Sequence, residues 1–502
     1  MFASLFKHQE NLSPLKVSND PSKIARSVSF ASTNSQETAS SSSDRSSLLI
    51  YAIKGCLENN IDSPIRTIKP AYLTEFHLFQ RCQNKPPQPS QESEEIQDGV
   101  TVSITKRKLI ENVTYEGHQD QILSNILLST YKWYFTEVEM FSMLLERFKL
   151  PLPFCLSPSE KRAFIENRLS KVQVRVLNFL RQWIDRYSFM IDHHSEEREI
   201  LLEFVLLMTS HPDLSNEAKT LLIEIFPSLQ NDEVDLSPFE TQRKEGLKVT
   251  SLSDIFVELP SILDHAHFIA KQLCILDTEN IHRVTVNEIY KKAWTTSEKK
   301  LKAPNLTLIA ENSTKLSRFA SFLVLMNKKN SLQVMTFEYL LSLCDKLIRL
   351  GNYNSAYAIY LGLTSPAIHR LQNLIEQNLG KEYKEIFSHL KRFFSTNNNS
   401  ELFRKRQTEA LSQSIPYLGM YLGDICFLEE LPNFLDQEKT KINMKKFHTL
   451  SNKLSHILAQ RQPHGFHKVE KICTFLKGLP FISEEKIYDL SNKIQNKTIL
   501  IN

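Results

Sequence analysis

The stretch Ile415-Pro-Tyr-Leu-Gly-Met-Tyr-Leu-Gly-Asp-Ile-Cys-Phe-Leu-Glu-Glu-Leu-Pro432 decides how the rest of the chain is read. Pro416 suits the first turn of a helix, where a missing N–H costs nothing. Tyr417, Tyr421, Ile425 and Leu428 then mark one face, with Leu418 and Leu422 on its flank. A polar break runs from Asn433 to Lys441, and beyond it Phe447, Leu450, Leu454, Ile457 and Leu458 recur at helical spacing. Two amphipathic helices with a short link predict an antiparallel helical hairpin.

Glu429 and Glu430 fall at the C-terminal end of the first helix. The helix dipole is already negative there, so each carboxylate is unfavourable by about 0.3–1 kcal/mol. Two readings stand side by side. One is a solvated end, or one paired locally with Lys439 or Lys441. The other is an acidic tip built to enter a phosphate-binding site.

Working outward, the same helical period appears upstream. Phe141, Leu144, Leu145 and Phe148 repeat at i, i+3, i+4 and i+7, as do Val172, Val176, Phe179, Leu180 and Trp183. Leu150-Pro151-Leu152-Pro153 stops one helix and Ser157-Pro158-Ser159-Glu160 starts the next. Residues 227–248 are polar and broken by Pro227 and Pro238, which suits a boundary. The predicted fold is all-α: two helical domains, 97–235 and 250–496, with the hairpin protruding from the second. Residues 1–47 end in a Ser-rich run and read as disordered. Residues 48–96 form an uncertain arm and a Pro/Glu linker, and 497–502 a tail.

Composition narrows the chemistry. A formal charge of +4 over 502 residues gives no reason to expect a nucleic-acid partner. No apolar run approaches the ~18 residues of a membrane span, and no signal peptide is expected at the N-terminus. The seven cysteines are scattered, as in a reducing compartment. His193-His194, His265/His267 and His464/His467 lack ligand partners at metal spacing, so neither metal nor cofactor is expected. The 11 glycines form neither G-x-x-x-x-G-K nor G-x-G-x-x-G, so no phosphate cradle is expected in this chain. Few glycines and many Lys, Asn and Ile suit an AT-rich genome, whether of a slime mould or of an intracellular bacterium that injects effectors into a host cytosol.

The block Pro416–Leu422, followed by Phe427, Glu429, Glu430 and Pro432-Asn433-Phe434, resembles the third signature block of Ras-family exchange-factor (RasGEF) catalytic domains. Ile269-Ala270-Lys271-Gln272-Leu273 running on to Trp294 resembles the first. Leu350–Asn354 through Ser365–Leu371 resembles the second, and Phe481–Leu490 the closing helix. Leu144–Phe148 and Val176–Trp183 resemble the N-terminal Ras exchanger motif that precedes this domain, with core packing the preferred reading for Trp183 itself.

The resemblance implies a non-covalent catalyst that stimulates GDP release from a Ras-, Rap- or Ral-like GTPase. It would act in the cytoplasm near the membrane leaflet that anchors its substrate. The hairpin would enter beside the first switch, with Asp424, Cys426, Glu429 and Glu430 on the wedge; Cys426 and Glu430 would face the magnesium and phosphate sites. Tyr357, Thr364, His369, Arg370, Tyr417 and Met420 would contact the GTPase, the two tyrosines lining a pocket for a switch-two aromatic. Ordinary core packing is the competing reading for both tyrosines, and a solvated helix end for His369 and Arg370. Three departures from the family pattern stand out. Thr364 replaces a usual Asn, Gly423 replaces a common Thr at a cost of up to about 1 kcal/mol of helix stability, and Cys426 is smaller than the leucine of some members. They define an alternative, a catalytically weak scaffold that binds a GTPase without releasing nucleotide. A GTPase-activating enzyme using Arg370 or Arg392 is a further rival.

Overall fold

The computed structural model describes residues 94–97, 99–117, 120–153, 156–187, 196–209, 214–225, 265–409, 414–459 and 465–501. The Ser-rich segment 1–47, the arm up to 93, His193-His194, His464 and the linker 227–248 lie outside them. Among the described residues no helix is long and apolar enough to cross a membrane.

The chain groups into two compact units. One takes in the residues up to 238 together with Asn433–Phe447, and the other Phe239–Pro432 with His448–Asn502. Both are built almost entirely of helices. The all-α expectation holds apart from one small sheet among the described residues: three short strands, β1 (Glu94–Gln97), β2 (Val100–Thr105) and β3 (Lys441–Asn443), are antiparallel in that order.

The core of the first unit includes helices 137–148 and 170–187. Phe141, Tyr131 and Tyr187 surround Trp183, their ring centroids 5.0, 6.1 and 5.5 Å from the indole. Trp183 is 1% exposed, so the core reading of that residue holds. The helix starts follow the caps written in the sequence. Asp120 accepts the amides of Ile122 and Leu123. Ser157 and Glu160 form a reciprocal capping box with Pro158 behind it.

The sheet belongs to this unit. Ile104 pairs with Ile442, and both are buried. The segment 433–443 folds back on itself beside them. Leu435 N–H donates to the Lys441 carbonyl at 2.8 Å, and Asn443 N–H to that of Asn433 at 2.9 Å. Asp436 caps the turn by accepting the Thr440 and Lys441 amides. Asn433 Nδ2 donates to the Trp133 carbonyl, Phe447 packs 4.6 Å from the Tyr134 ring, and Lys441 pairs with Glu95 at 2.8 Å. The polar break is thus an ordered part of the first unit, and Lys441 is committed to Glu95.

In the second unit, helices 265–281, 304–325, 330–349 and 353–363 pack around one another. Gly362 sets the closest approach, because a β-carbon there would lie 2.3 Å from the Ser317 carbonyl oxygen. Gly351, at φ +76°, turns the chain out of helix 330–349, and its carbonyl accepts the Ile415 amide. Behind this turn Asp277 is buried and accepts from Asn352 Nδ2 at 2.8 Å, Ser355 Oγ at 2.6 Å and Asn354 Nδ2 at 3.3 Å. Burial pushes its carboxyl above the usual range, and these three donors only partly oppose the shift. Gln272 is likewise buried, joining helix 265–281 to segment 467–469 through the His467 carbonyl and the Val469 amide.

Candidate functional site

Helix 418–429 carries the residues singled out from the sequence. Its first helical residue is Leu418 and Tyr417 is its N-cap, so Pro416 lies outside the first turn expected for it. The start is fixed by Gln407, 1% exposed, whose Oε1 accepts the Tyr417 amide at 2.8 Å and whose Nε2 approaches Met420 Sδ at 3.9 Å. Leu418, Tyr421, Leu422 and Ile425 are buried, which accounts for the face read from the period.

Under the helix start lies a bed of aromatic rings. Tyr417 meets Tyr357 at 4.5 Å and Phe403 at 6.2 Å, and Phe403 in turn touches Phe394 at 5.0 Å and Phe393 at 5.4 Å. Tyr360 closes the group against Phe394 at 4.7 Å. Tyr357, Tyr360 and Tyr417 are only half-buried, so the bed reaches the surface. Burial raises the phenol pKa of Tyr357 and of Tyr417. The pairing of Tyr357 with Tyr417 joins helix 353–363 to helix 418–429, a contact between residues 60 positions apart.

Asp424 sits at mid-helix between two cations. Arg404 grips it bidentately, Nη1 to Oδ2 at 2.7 Å and Nη2 to Oδ1 at 3.0 Å, while Lys453 Nζ lies 2.8 Å from Oδ2. Burial alone would raise this carboxyl, but the Arg404 and Lys453 bonds outweigh it and hold it below the usual range. Arg404 also donates Nε to the Asn399 carbonyl, tying down a left-handed run at Asn398, Asn399 and Ser400. Lys453 belongs to helix 444–458, and His456 of that helix stacks on Tyr421 at 5.3 Å. Asp424 therefore bridges helices 397–409 and 444–458.

The C-terminal end is different. Phe427 is 77% exposed, Leu431 just beyond the helix is also exposed, and the Glu430 side chain is 72% exposed. Cys426 and Glu429 are half-buried. Burial raises the Cys426 thiol pKa, Lys292 opposes that, and Glu429 and Glu430 add to it. Glu430 pairs with Lys292, with Nζ 2.7 Å from Oε1, while Lys441 pairs with Glu95. Helix 418–429 has no basic residue in its last turn, so Lys292 supplies from another element the cation that the dipole and the carboxylates call for. It does so from unfavourable backbone. Lys291 and Lys292 adopt left-handed conformations at φ 50° and 58°, which cost L residues about 1–2 kcal/mol each.

The remaining candidates are placed as follows. Thr364 caps helix 353–363, exposed, with its hydroxyl donating to the Tyr360 carbonyl at 2.8 Å. His369 is exposed at the end of the short helix Pro366–His369. Arg370 lies over the Tyr488 ring at 4.2 Å and donates to Asn492, so it is tied to the closing helix. Arg392 is exposed near the end of helix 381–393. Tyr357, Tyr417 and Met420 thus gather at one end of helix 418–429, and Cys426, Glu429 and Glu430 at the other. Sequence reading missed Arg404, Lys453, Gln407 and Lys292, which no local spacing links to this helix. An apolar cavity of about 70 Å³, walled by Leu273, Phe319, Leu340 and Phe475, offers nothing to a phosphate.

Comparison with known proteins places helix 418–429 within a matched domain. The family described as the RasGEF domain matches residues 268–448, and the RasGEF N-terminal motif matches residues 100–207. The chain carries the domain architecture of Ras guanine-nucleotide exchange factors, a RasGEF N-terminal motif followed by a RasGEF domain. It is 24% identical over 430 residues to Ras guanine nucleotide exchange factor A of Dictyostelium discoideum, covering 83% of this chain and 67% of that protein. Exchange factor S of the same organism is 24% identical over 411 residues, covering 80% of this chain and 38% of that protein. Cell division control protein 25 of Saccharomyces cerevisiae is 24% identical over 428 residues, covering 78% and 26%. The chain thus spans from about a quarter to two thirds of the length of these relatives.

Proposed function

We propose that this chain stimulates guanine-nucleotide release from a Ras-type small GTPase by using helices 418–429 and 444–458 as a wedge beside the first switch. The two modules are read as an N-terminal exchanger motif, 97–235, and a catalytic domain, 250–496. A Ras-, Rap- or Ral-like substrate held at the cytosolic leaflet by its own lipid would be met from the cytoplasm.

The physics is linkage. A picomolar GTPase–nucleotide complex is held by about 16 kcal/mol. An exchange factor creates no free energy. It binds the empty GTPase more tightly than the loaded one, and reciprocity makes it weaken the nucleotide by the same factor. Glu430 would occupy phosphate space and compete for its cations, while Cys426 would bring a weakly polar side chain to the magnesium site. Tyr357, Tyr417 and Met420 would receive an aromatic of the second switch, with His369 and Thr364 at the margin. Asp424 would serve by holding the wedge in place, and Arg370 by fixing the adjoining surface. No proton transfer or covalent step is required.

The observation that carries this reading is the contrast along helix 418–429. Its base is braced by Gln407, Arg404 and Lys453, while Phe427 and Glu430 stand exposed at its end. Exposed Phe427 and Leu431 give this end an apolar surface beside the Glu430 carboxylate, suited to contact with a GTPase. The test is fluorescent-GDP release from a panel of Ras, Rap, Ral and R-Ras proteins. At least one should be accelerated, and Glu430→Gln should lower that acceleration tenfold or more, about 1.4 kcal/mol of lost discrimination. Binding with no acceleration of any member would favour the scaffold.

A further inference from the structure

The carboxylate assigned to the phosphate site is already engaged before any partner arrives. Lys292 and Glu430 are 138 residues apart in sequence, yet Nζ and Oε1 lie 2.7 Å apart. Solvation of Glu430 does not require this contact, since its side chain is largely exposed. The geometry of the lysine is the second observation. Lys291 and Lys292 both sit in the left-handed region, where glycine or asparagine is the usual occupant. The segment is fixed from behind by Ala293 and Trp294, both buried. Lys292 is thus presented to the end of helix 418–429 by a turn that its own backbone disfavours.

We infer that Lys292 is a positioning residue that parks Glu430 in the unpartnered protein and must release it before the carboxylate can engage a GTPase. This rests on the reading of Glu430 given above. The chemistry is direct. A carboxylate competes with phosphate for ammonium and backbone donors through its charge, and an attached lysine cancels that charge. The parked form is therefore the less competent one. Its hold is soft, because an exposed pair is weak and is screened by salt. The release needs only a partner that offers Glu430 a better-placed cation. The same lysine lies within electrostatic reach of Cys426 and Glu429, so its departure alters the whole end of the helix at once.

Parking lowers the competent fraction, so it weakens apparent affinity in proportion. The experiment measures fluorescent-GDP release by the full chain from whichever Ras-type GTPase responds, at low and high salt. Lys292→Ala should raise kcat/KM about two- to fivefold at low salt, the range set by an exposed ion pair, chiefly through KM. The gain should shrink in high salt, and Lys292→Arg should behave as the parent. Placed on Glu430→Gln, Lys292→Ala should add nothing. Unchanged or slower release by Lys292→Ala, with Glu430→Gln impaired and every variant folded by thermal unfolding, overturns the parking role and leaves the wedge reading intact. A Glu430→Gln variant as fast as the parent overturns the wedge reading and the parking role with it.

Discussion

At the N-terminal end of helix 418–429, Tyr417 is set on Tyr357 and Phe403, its amide is taken by a buried glutamine, and Asp424 two turns further is held by two cations. At the other end, Phe427 faces solvent and the largely exposed Glu430 pairs with Lys292, reaching in from another turn. The same short helix and its caps therefore carry polar groups of two kinds. Those at the base are satisfied within the fold, and changing them should be felt as instability. Those at the end are available for exchange with another molecule, and changing them should be felt as altered nucleotide release.

The sharpest way to break this contrast is at the base. Phe403 is 2% exposed beneath Tyr417, and Phe403→Ala should cost about 3–5 kcal/mol in urea unfolding. A loss below about 1 kcal/mol would mean that the aromatic bed does not support the helix.

Asp424→Asn should follow, costing about 1–2 kcal/mol, because it removes charge-assisted bonds from a partly exposed site. The pH dependence carries the sign. The folded carboxyl lies below its ordinary value of 3.8, so its stabilisation is present above that pH and is lost as pH falls through the folded value. Asp424→Asn should flatten that acid loss. Asp277 has the opposite sign. Burial raises its carboxyl, so its contribution is fullest below 3.8 and is lost as pH climbs through the folded value. An Asp277→Asn variant should leave the Asp424 acid limb in place.

The smallest effect is at Gly423, where an added β-carbon meets nothing within 4 Å. Gly423→Ala should raise stability by about 0.5–1 kcal/mol and leave nucleotide release unchanged. A slower release would show that flexibility at Gly423 serves the wedge.

Much of the base and little of its bracing was legible in the sequence. The period located the buried face at Tyr421, Leu422 and Ile425, and that at Phe447, Leu450, Leu454 and Ile457, because apolar spacing is a local signal. Ser157 and Glu160 announced a helix start for the same reason. The sheet gave no such signal. Lys441-Ile442-Asn443 is too short to show alternation, and its partner Ser103-Ile104-Thr105 lies more than 300 residues away. Asp424 read as a wedge residue because its carboxylate is visible in sequence and Arg404 and Lys453 are not visibly near it. Lys292 was hidden twice over, by distance along the chain and by a backbone conformation that lysine does not advertise.

The returning segment 433–447 has a practical consequence for anyone dissecting the molecule. Ile442, Met444 and Phe447 are covered, and their strand partner, Ser103-Ile104-Thr105, together with Tyr134, is encoded far upstream. An expression fragment starting near 250 would carry these apolar side chains and an open strand edge with no native cover, a surface prone to self-association. Reconstitution from two co-expressed pieces, split within 227–248, is the better route to a soluble, functional particle.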